Sequence, residues 1–228
     1  MFERLELLIG KENLEKIKKT KICIIGLGGV GGHVVESLIR SGIENIIIVD
    51  PDVINKSNLN RQIIATTKNI GKYKTDEFEK RILSINKNVK VKKITEFITK
   101  DNIDILFKDH IDYFIDACDT ISTKEEIIKN CVEKKIKLIT SLGMGKKMDP
   151  SKIKITTLSK TSYDPIAKRL RKYIKDNNIK EDIICCFSEE KPIKSESKDI
   201  GSNSFVPASA GILITSYIIN DIIKTKLK

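Results

Sequence analysis

Between Lys21 and Arg61 the chain reads K-I-C-I-I-G-L-G-G-V-G-G-H, then a helix-like stretch, then N-I-I-I-V-D-P-D and S-N-L-N-R-Q. Few folds accommodate that order. Ile22 to Ile25 is a short, β-branched run ending at glycine, which suits a parallel strand buried on both faces. Gly26, Gly28 and Gly31 give the spacing G-x-G-x-x-G, with Gly29 as an extra glycine. Such a loop turns tightly and lets a phosphate approach the amides that open the next helix. That helix is predicted over Val30–Ser41, with Val34, Leu38 and Ile39 on one face and Gly42 as its stop. A second strand follows over Asn45–Val49. Asp50 stands at its C-terminal end, where an acid commonly holds a ribose hydroxyl pair.

A strand, glycine turn, helix, strand and acid in sequence predict a nucleotide, without saying which. The residues that follow argue for a triphosphate over a dinucleotide. Asp52, Asn58, Arg61 and Gln62 come directly after the second strand, and Lys74 comes thirteen residues after Arg61. A dinucleotide needs an acid for its ribose and amides for its pyrophosphate. An arginine and a lysine beside the phosphates serve a reaction in which a charged pyrophosphate leaves.

Strands and helices alternate along the remaining chain. A helix is predicted from Lys74 to about Asn86, a strand over Val89–Ile94, a helix near Thr99–Lys108 and a strand over Ile111–Ile115 ending in D-A-C-D-T. A helix over Thr123–Lys134 and strands over Lys137–Ser141 and Lys152–Leu158 continue the pattern. This predicts an α/β fold: a Rossmann-like, doubly wound, mainly parallel sheet in a single domain spanning residues 1–228. Residues 1–19 read as a helical arm. Asp164-Pro165 opens a basic helix within residues 160–175, because a capping acid followed by proline suits a first turn. Its cations are Lys168, Arg169, Arg171 and Lys172. Residues 189–204, rich in Ser, Lys and Glu, are expected to form a mobile loop. An apolar helix over roughly Ala208–Lys224 closes the chain. Its apolar run is shorter than the roughly 20 residues of a membrane span, which predicts burial or an interface.

Composition narrows the partners. The net charge is +11, from 42 basic and 31 acidic residues. That suits a polyanion, and it equally suits a lysine-rich solvated surface. No apolar leader follows Met1, and the five cysteines lack framework spacing, so reduced thiols in the cytoplasm are expected. The chain contains no C-x-x-C, which excludes a structural zinc built on paired cysteines. His33 and His110 are expected to be structural.

The motifs G-L-G-G-V-G, D-x-D, N-L-N-R-Q, G-K-Y-K and D-A-C-D-T occur in an order that resembles the E1-like (ThiF/MoeB/HesA) adenylating enzymes. R-L-E-L-L-I-G, S-I-N-K-N-V-K-V, L-S-K-T-S-Y-D-P, C-C-F-S-E-E-K-P and G-S-N-S-F-V-P-A-S-A-G are most similar to the tRNA threonylcarbamoyladenosine dehydratase branch. The resemblance implies adenylation of a carboxylate by ATP with Mg²⁺. It implies an ATP site of Gly26, Gly28, Gly29, Gly31, Asp50, Asp52, Asn58, Arg61 and Lys74, with catalytic roles for Arg61, Lys74 and the Mg²⁺-associated Asp119. It further implies a homodimer in which Arg4 reaches the partner's ATP, a tRNA substrate held by Lys168, Arg169, Arg171 and Lys172, and a sulfur-transfer protein as a further partner. Cys185 falls at a family cysteine. A structural role is expected for it, because adenylate-driven cyclisation needs no enzyme thioester. The alternative activity is adenylation of a ubiquitin-like sulfur-carrier protein, which shares the whole ATP site.

Overall fold

The computed structural model describes residues 1–194 and 199–224. Seven strands form one sheet in the order β3-β2-β1-β4-β5-β7-β6. They are β1 (Lys21–Ile25), β2 (Asn45–Val49), β3 (Lys90–Ile94), β4 (Tyr113–Asp116), β5 (Lys137–Ser141), β6 (Ile153–Thr157) and β7 (Ile184–Ser188). All neighbours are parallel except β6, which runs antiparallel to β7 at one edge. The sheet is therefore mainly parallel, as the alternation of elements predicts.

The helices are α1 (Glu3–Ile9), α2 (Lys11–Lys19), α3 (Gly31–Arg40), α4 (Lys74–Ile85), α5 (Ile121–Glu133), α6 (Pro165–Asp176) and α7 (Phe205–Ile222). They cover both faces, and β1 shows why its residues alternate. Ile22 and Ile24 join the apolar layer under α3, α4 and α7, with Leu38, Phe78 and Ile214. Cys23 and Ile25 point the other way, into a layer with Val49, Phe114, Ile127 and Cys131. A third layer under α5 and α6 contains Ile128, Leu170, Cys185 and Phe187.

Three expectations change. The segment Thr99–Lys108 is no α-helix; it has only a 3₁₀ turn over Ile103–Phe107. The Asn102 side chain accepts a bond from Thr99 N at 2.8 Å and donates to Phe97 O at 3.0 Å. Such local side-chain bonding competes with a helical ladder. The arm is two helices, broken at Gly10 with φ +81°. No residue of α1 is buried, and Leu7 and Leu8 are 84% and 81% exposed.

The apolar C-terminal helix starts earlier than expected, at Phe205, where Asn203 Oδ1 accepts from Val206 N at 2.9 Å. With 18 residues and a mean hydropathy of 1.4, α7 is long and apolar enough to cross a membrane by length and composition. In this fold it lies on α3. A Cβ on Gly211 would come within 2.6 Å of Val30 O, so the two helix backbones cross closely.

β1 is flanked by β2 on one side and β4 on the other, so chain connections leave it in both directions. In open α/β sheets, ligands bind in the crevice beyond the strand C-termini at such a point. Gly26, Asp50 and Asp116 stand at those three ends.

Candidate active site

A cavity of about 470 Å³ opens at this crevice. The glycine loop forms one wall, and its glycines divide the work. Gly26 has φ +87°, and a Cβ there would stand 2.5 Å from Ala117 O. A Cβ on Gly31 would stand 1.8 Å from Gly26 O, so this position is closed by the chain itself. Gly31 does not line the cavity, whereas Gly26, Gly28 and Gly29 do. At Gly28 an added Cβ would meet nothing nearer than Gln62 Nε2 at 3.7 Å. That is the point at which backbone stands open to a ligand. Pro207, from α7, closes in beside Gly29.

Asp50, at the end of β2, ties this loop to the next. Its Oδ2 accepts from Leu27 N at 2.7 Å and its Oδ1 from Asp52 N at 2.9 Å. Burial raises its carboxyl above the usual aspartate range, against the opposing pull of Lys74 and the two amides. Lys74 opens α4 and is itself buried. Its Nζ lies 3.4 Å from the Asp50 carboxylate and 2.8 Å from Asp52 Oδ2. Asp52 is the accessible acid of the pair, with a side chain 62% exposed.

Asn58 and Arg61 come from the turn after β2. Asn58 lines the cavity; its Oδ1 accepts from Asn55 N at 2.9 Å, and its amide NH₂ has no acceptor among the described residues. Arg61 Nη1 donates to Ser57 O at 2.7 Å and to Asn60 Oδ1 at 3.0 Å. Its Nε and Nη2 have no protein acceptor among the described residues. Three donor-bearing side chains and a glycine loop thus converge where an anion can sit.

Asp119, in the turn after β4 that packs against Gly26, is exposed and lines the cavity. It has no hydrogen-bond partner among the described residues. A single free carboxylate beside phosphate oxygens meets the needs of Mg²⁺, which keeps several waters and takes one or two protein acids.

Asp116, the last residue of β4, and Lys124, on α5, are not among the expected site residues. Both are wholly buried and paired. Lys124 Nζ also reaches Thr140 Oγ1 at 3.2 Å and Ser141 O at 2.9 Å. Burial alone would lower the Lys124 ammonium, but the Asp116 carboxylate outweighs it, and the ammonium is held above its usual range. Gln62 also belongs to the site. It is buried and lines the cavity, and its Oε1 has no partner among the described residues. An orphaned amide in such a place fits a ligand's polar group.

The remaining site residues lie elsewhere. Arg4 is exposed on α1 and does not line the cavity of its own chain. The basic helix α6 forms as predicted, with Asp164 Oδ1 accepting from Ala167 N at 2.9 Å. Lys168, Arg169 and Lys172 are exposed. Arg171 is partly buried, and its Nη1 is committed to Leu158 O, Thr161 O and Thr161 Oγ1. Of the expected loop 189–204, residues 195–198 lie outside the described residues. Its flanks are held by Ile193 N to Lys146 O at 2.7 Å and Lys146 N to Gly201 O at 2.8 Å, which brings Ile200 to the cavity rim.

Cys185 and Cys186 lie in β7 and point to opposite faces, each into an apolar layer. Neither lines the cavity. Burial pushes the Cys185 thiol up to about 12 and raises Cys186 as well. A thiol so placed is not a nucleophile at neutral pH.

Known proteins share this architecture. A tRNA threonylcarbamoyladenosine dehydratase of Bacillus subtilis is 37% identical over 240 residues, covering 98% of this chain and 94% of that protein. The Escherichia coli enzyme of the same name is 35% identical over 197 residues, covering 83% of this chain and 74% of that protein. A crystal structure of the E. coli dehydratase in complex with ATP superposes with a TM-score of 0.92 at 33% identity, covering 98% of this chain and 93% of that one. The family model described as ThiF matches residues 2–226, and the chain belongs to the ThiF family.

Proposed function

We propose that the protein is an ATP-dependent tRNA threonylcarbamoyladenosine dehydratase, which activates the threonyl carboxylate of that nucleoside, next to the anticodon, by adenylation. The observation that carries this reading is the cavity lined together by Asn58, Arg61, Lys74, an open glycine loop and the exposed Asp119 carboxylate. The substrate rests on the near-full-length likeness to the dehydratases. That likeness also disfavours the sulfur-carrier alternative.

The carboxylate attacks the α-phosphorus of ATP, giving an acyl-adenylate and pyrophosphate. Attack from within the same side chain on the activated carbonyl then closes a ring. One carboxylate oxygen leaves on AMP, so the nucleoside loses the elements of water. The amides at Gly28 and Gly29 receive phosphate oxygens, and Asp50 and Asp52 close the ribose end. Arg61 and Asn58 donate to the phosphates as charge moves to the leaving group, with Lys74 adding positive charge behind Asp52. Such fixed donors, aimed where charge develops, lower the barrier without reorganising. Mg²⁺, held by Asp119, would supply further charge neutralisation. The same reading makes the protein a cytoplasmic homodimer without a membrane span, in which Arg4 approaches the partner's cavity. It also gives it a sulfur-transfer protein as a partner.

The test is incubation with ATP, Mg²⁺ and tRNA bearing threonylcarbamoyladenosine, followed by mass analysis of the nucleosides. A loss of one water, dependent on ATP and absent with Arg61→Ala, is expected. No change in nucleoside mass, with pyrophosphate released only when a small carrier protein is added, would overturn it.

A further inference from the structure

We propose that Tyr163, next in the chain to a residue bonded to the lining of the nucleotide cavity, is a stacking platform for an unpaired nucleobase of the RNA substrate; this rests on the function proposed above.

Tyr163 has φ +56°, a left-handed conformation that bulky side chains rarely adopt. Glycine would satisfy that turn without strain. The residue is also 58% exposed, and its hydroxyl has no hydrogen-bond partner among the described residues. Neither backbone economy nor core packing accounts for a tyrosine here. Strain of this kind concentrates at ligand-contact positions. Lys191 Nζ lies 4.9 Å from the ring centroid and covers one face, leaving the other for a planar ligand.

The placement gives the ligand its class. The next residue, Asp164, accepts a bond from Gly143 N at 3.0 Å, and Gly143 and Ile166 both line the cavity. From Pro165 onward α6 carries the exposed Lys168, Arg169 and Lys172. In the chain Tyr163 thus lies between Asp164, bonded to the cavity lining, and the Lys191 cation over its ring, next to a helix that carries a row of cations. A substrate nucleoside in an anticodon loop must be splayed out of its stack to place a carboxylate in that cavity. Unstacked loop bases are held by stacking on aromatic rings, while the backbone is held by cations.

The chain contains no tryptophan, so Tyr163→Trp makes a single-tryptophan protein. Its fluorescence is expected to be quenched by an anticodon stem-loop RNA. A blunt duplex of equal phosphate count should leave it unchanged. Tyr163→Leu should raise KM for tRNA roughly 5- to 150-fold, the range for loss of one base–aromatic stack, with ATP affinity unchanged. Tyr163→Phe should behave as wild type. Tyr163→Gly relaxes the turn, so its Tm should equal or exceed wild type while its KM rises as for leucine. Equal KM for the leucine variant and wild type, or equal quenching by the duplex, overturns the proposal while the dehydratase reading stands. A wild-type protein that leaves tRNA unchanged overturns that reading and the proposal with it.

Discussion

Lys124 Nζ lies 3.0 Å from both carboxylate oxygens of Asp116, and no part of either side chain reaches solvent. The pair fixes the end of β4 to α5, three residues before Asp119. Removing one partner leaves an uncompensated buried charge. Lys124→Met should cost about 3–5 kcal/mol of stability, and Asp116→Asn with Lys124→Met should recover much of it. Urea denaturation checks both. A Lys124→Met protein within 1 kcal/mol of wild type would show that the Asp116 charge is dispensable.

Arg61 and Lys74 should fail differently. Among the described residues Arg61 bonds only within its own turn, so Arg61→Ala should change stability by about 0.5 kcal/mol or less. Its loss should lower turnover about 10²–10³-fold, as expected for a donor aimed at developing charge. Lys74→Met leaves Asp50 buried without its cation and should lose both activity and stability. Paired activity and denaturation curves separate the two cases; similar stability losses for both variants would refute the contrast.

The glycines make a sharper distinction. Gly31→Ala would drive a Cβ into Gly26 O at 1.8 Å, so the loop must deform or fail to fold. Gly28→Ala has room and should keep the wild-type Tm, yet it places a methyl where phosphate approaches. Isothermal titration with ATP should show weakened binding for Gly28→Ala in a fully folded protein. Unchanged affinity would remove Gly28 from the phosphate site.

His33 gives stability a pH dependence. Burial holds its imidazole below the ordinary value of 6.5, despite Glu36 nearby. The unfolded chain therefore binds a proton that the folded chain refuses. Stability should be full above about pH 6.5, decline as pH falls towards the lower folded pKa, and level off below it. His33→Gln should flatten that part of the curve. A wild-type stability constant from pH 7 to 5 would contradict the assignment.

β2 and β5 match their predicted bounds because each is a short run with an apolar, β-branched centre, Ile46–Val49 in one and Leu138–Thr140 in the other, and such runs are local facts. The direction of β6 was not legible, since pairing direction depends on where β7 lies and not on the composition of β6 itself. Lys124 reads as surface in any sequence window. Asp116 of β4 and Thr140 and Ser141 of β5, brought together by the sheet, give its charge a place inside. The helix expected after Thr99 failed through one side chain, Asn102, whose local bonds satisfy the backbone another way. Gly31 was legible as a glycine of a phosphate loop, but its reason is steric: it lets the helix start pass against Gly26.

The three apolar layers each contain a cysteine: Cys186 in one, Cys23 and Cys131 in the second, Cys185 in the third. Every one of these thiols is shielded from solvent, while Cys118 is partly accessible. A thiol reagent can reach each shielded sulfur only when its own layer opens, so the labelling rate at each sulfur measures the opening free energy of one layer. The chain thus carries native reporters of which face of the sheet loosens first.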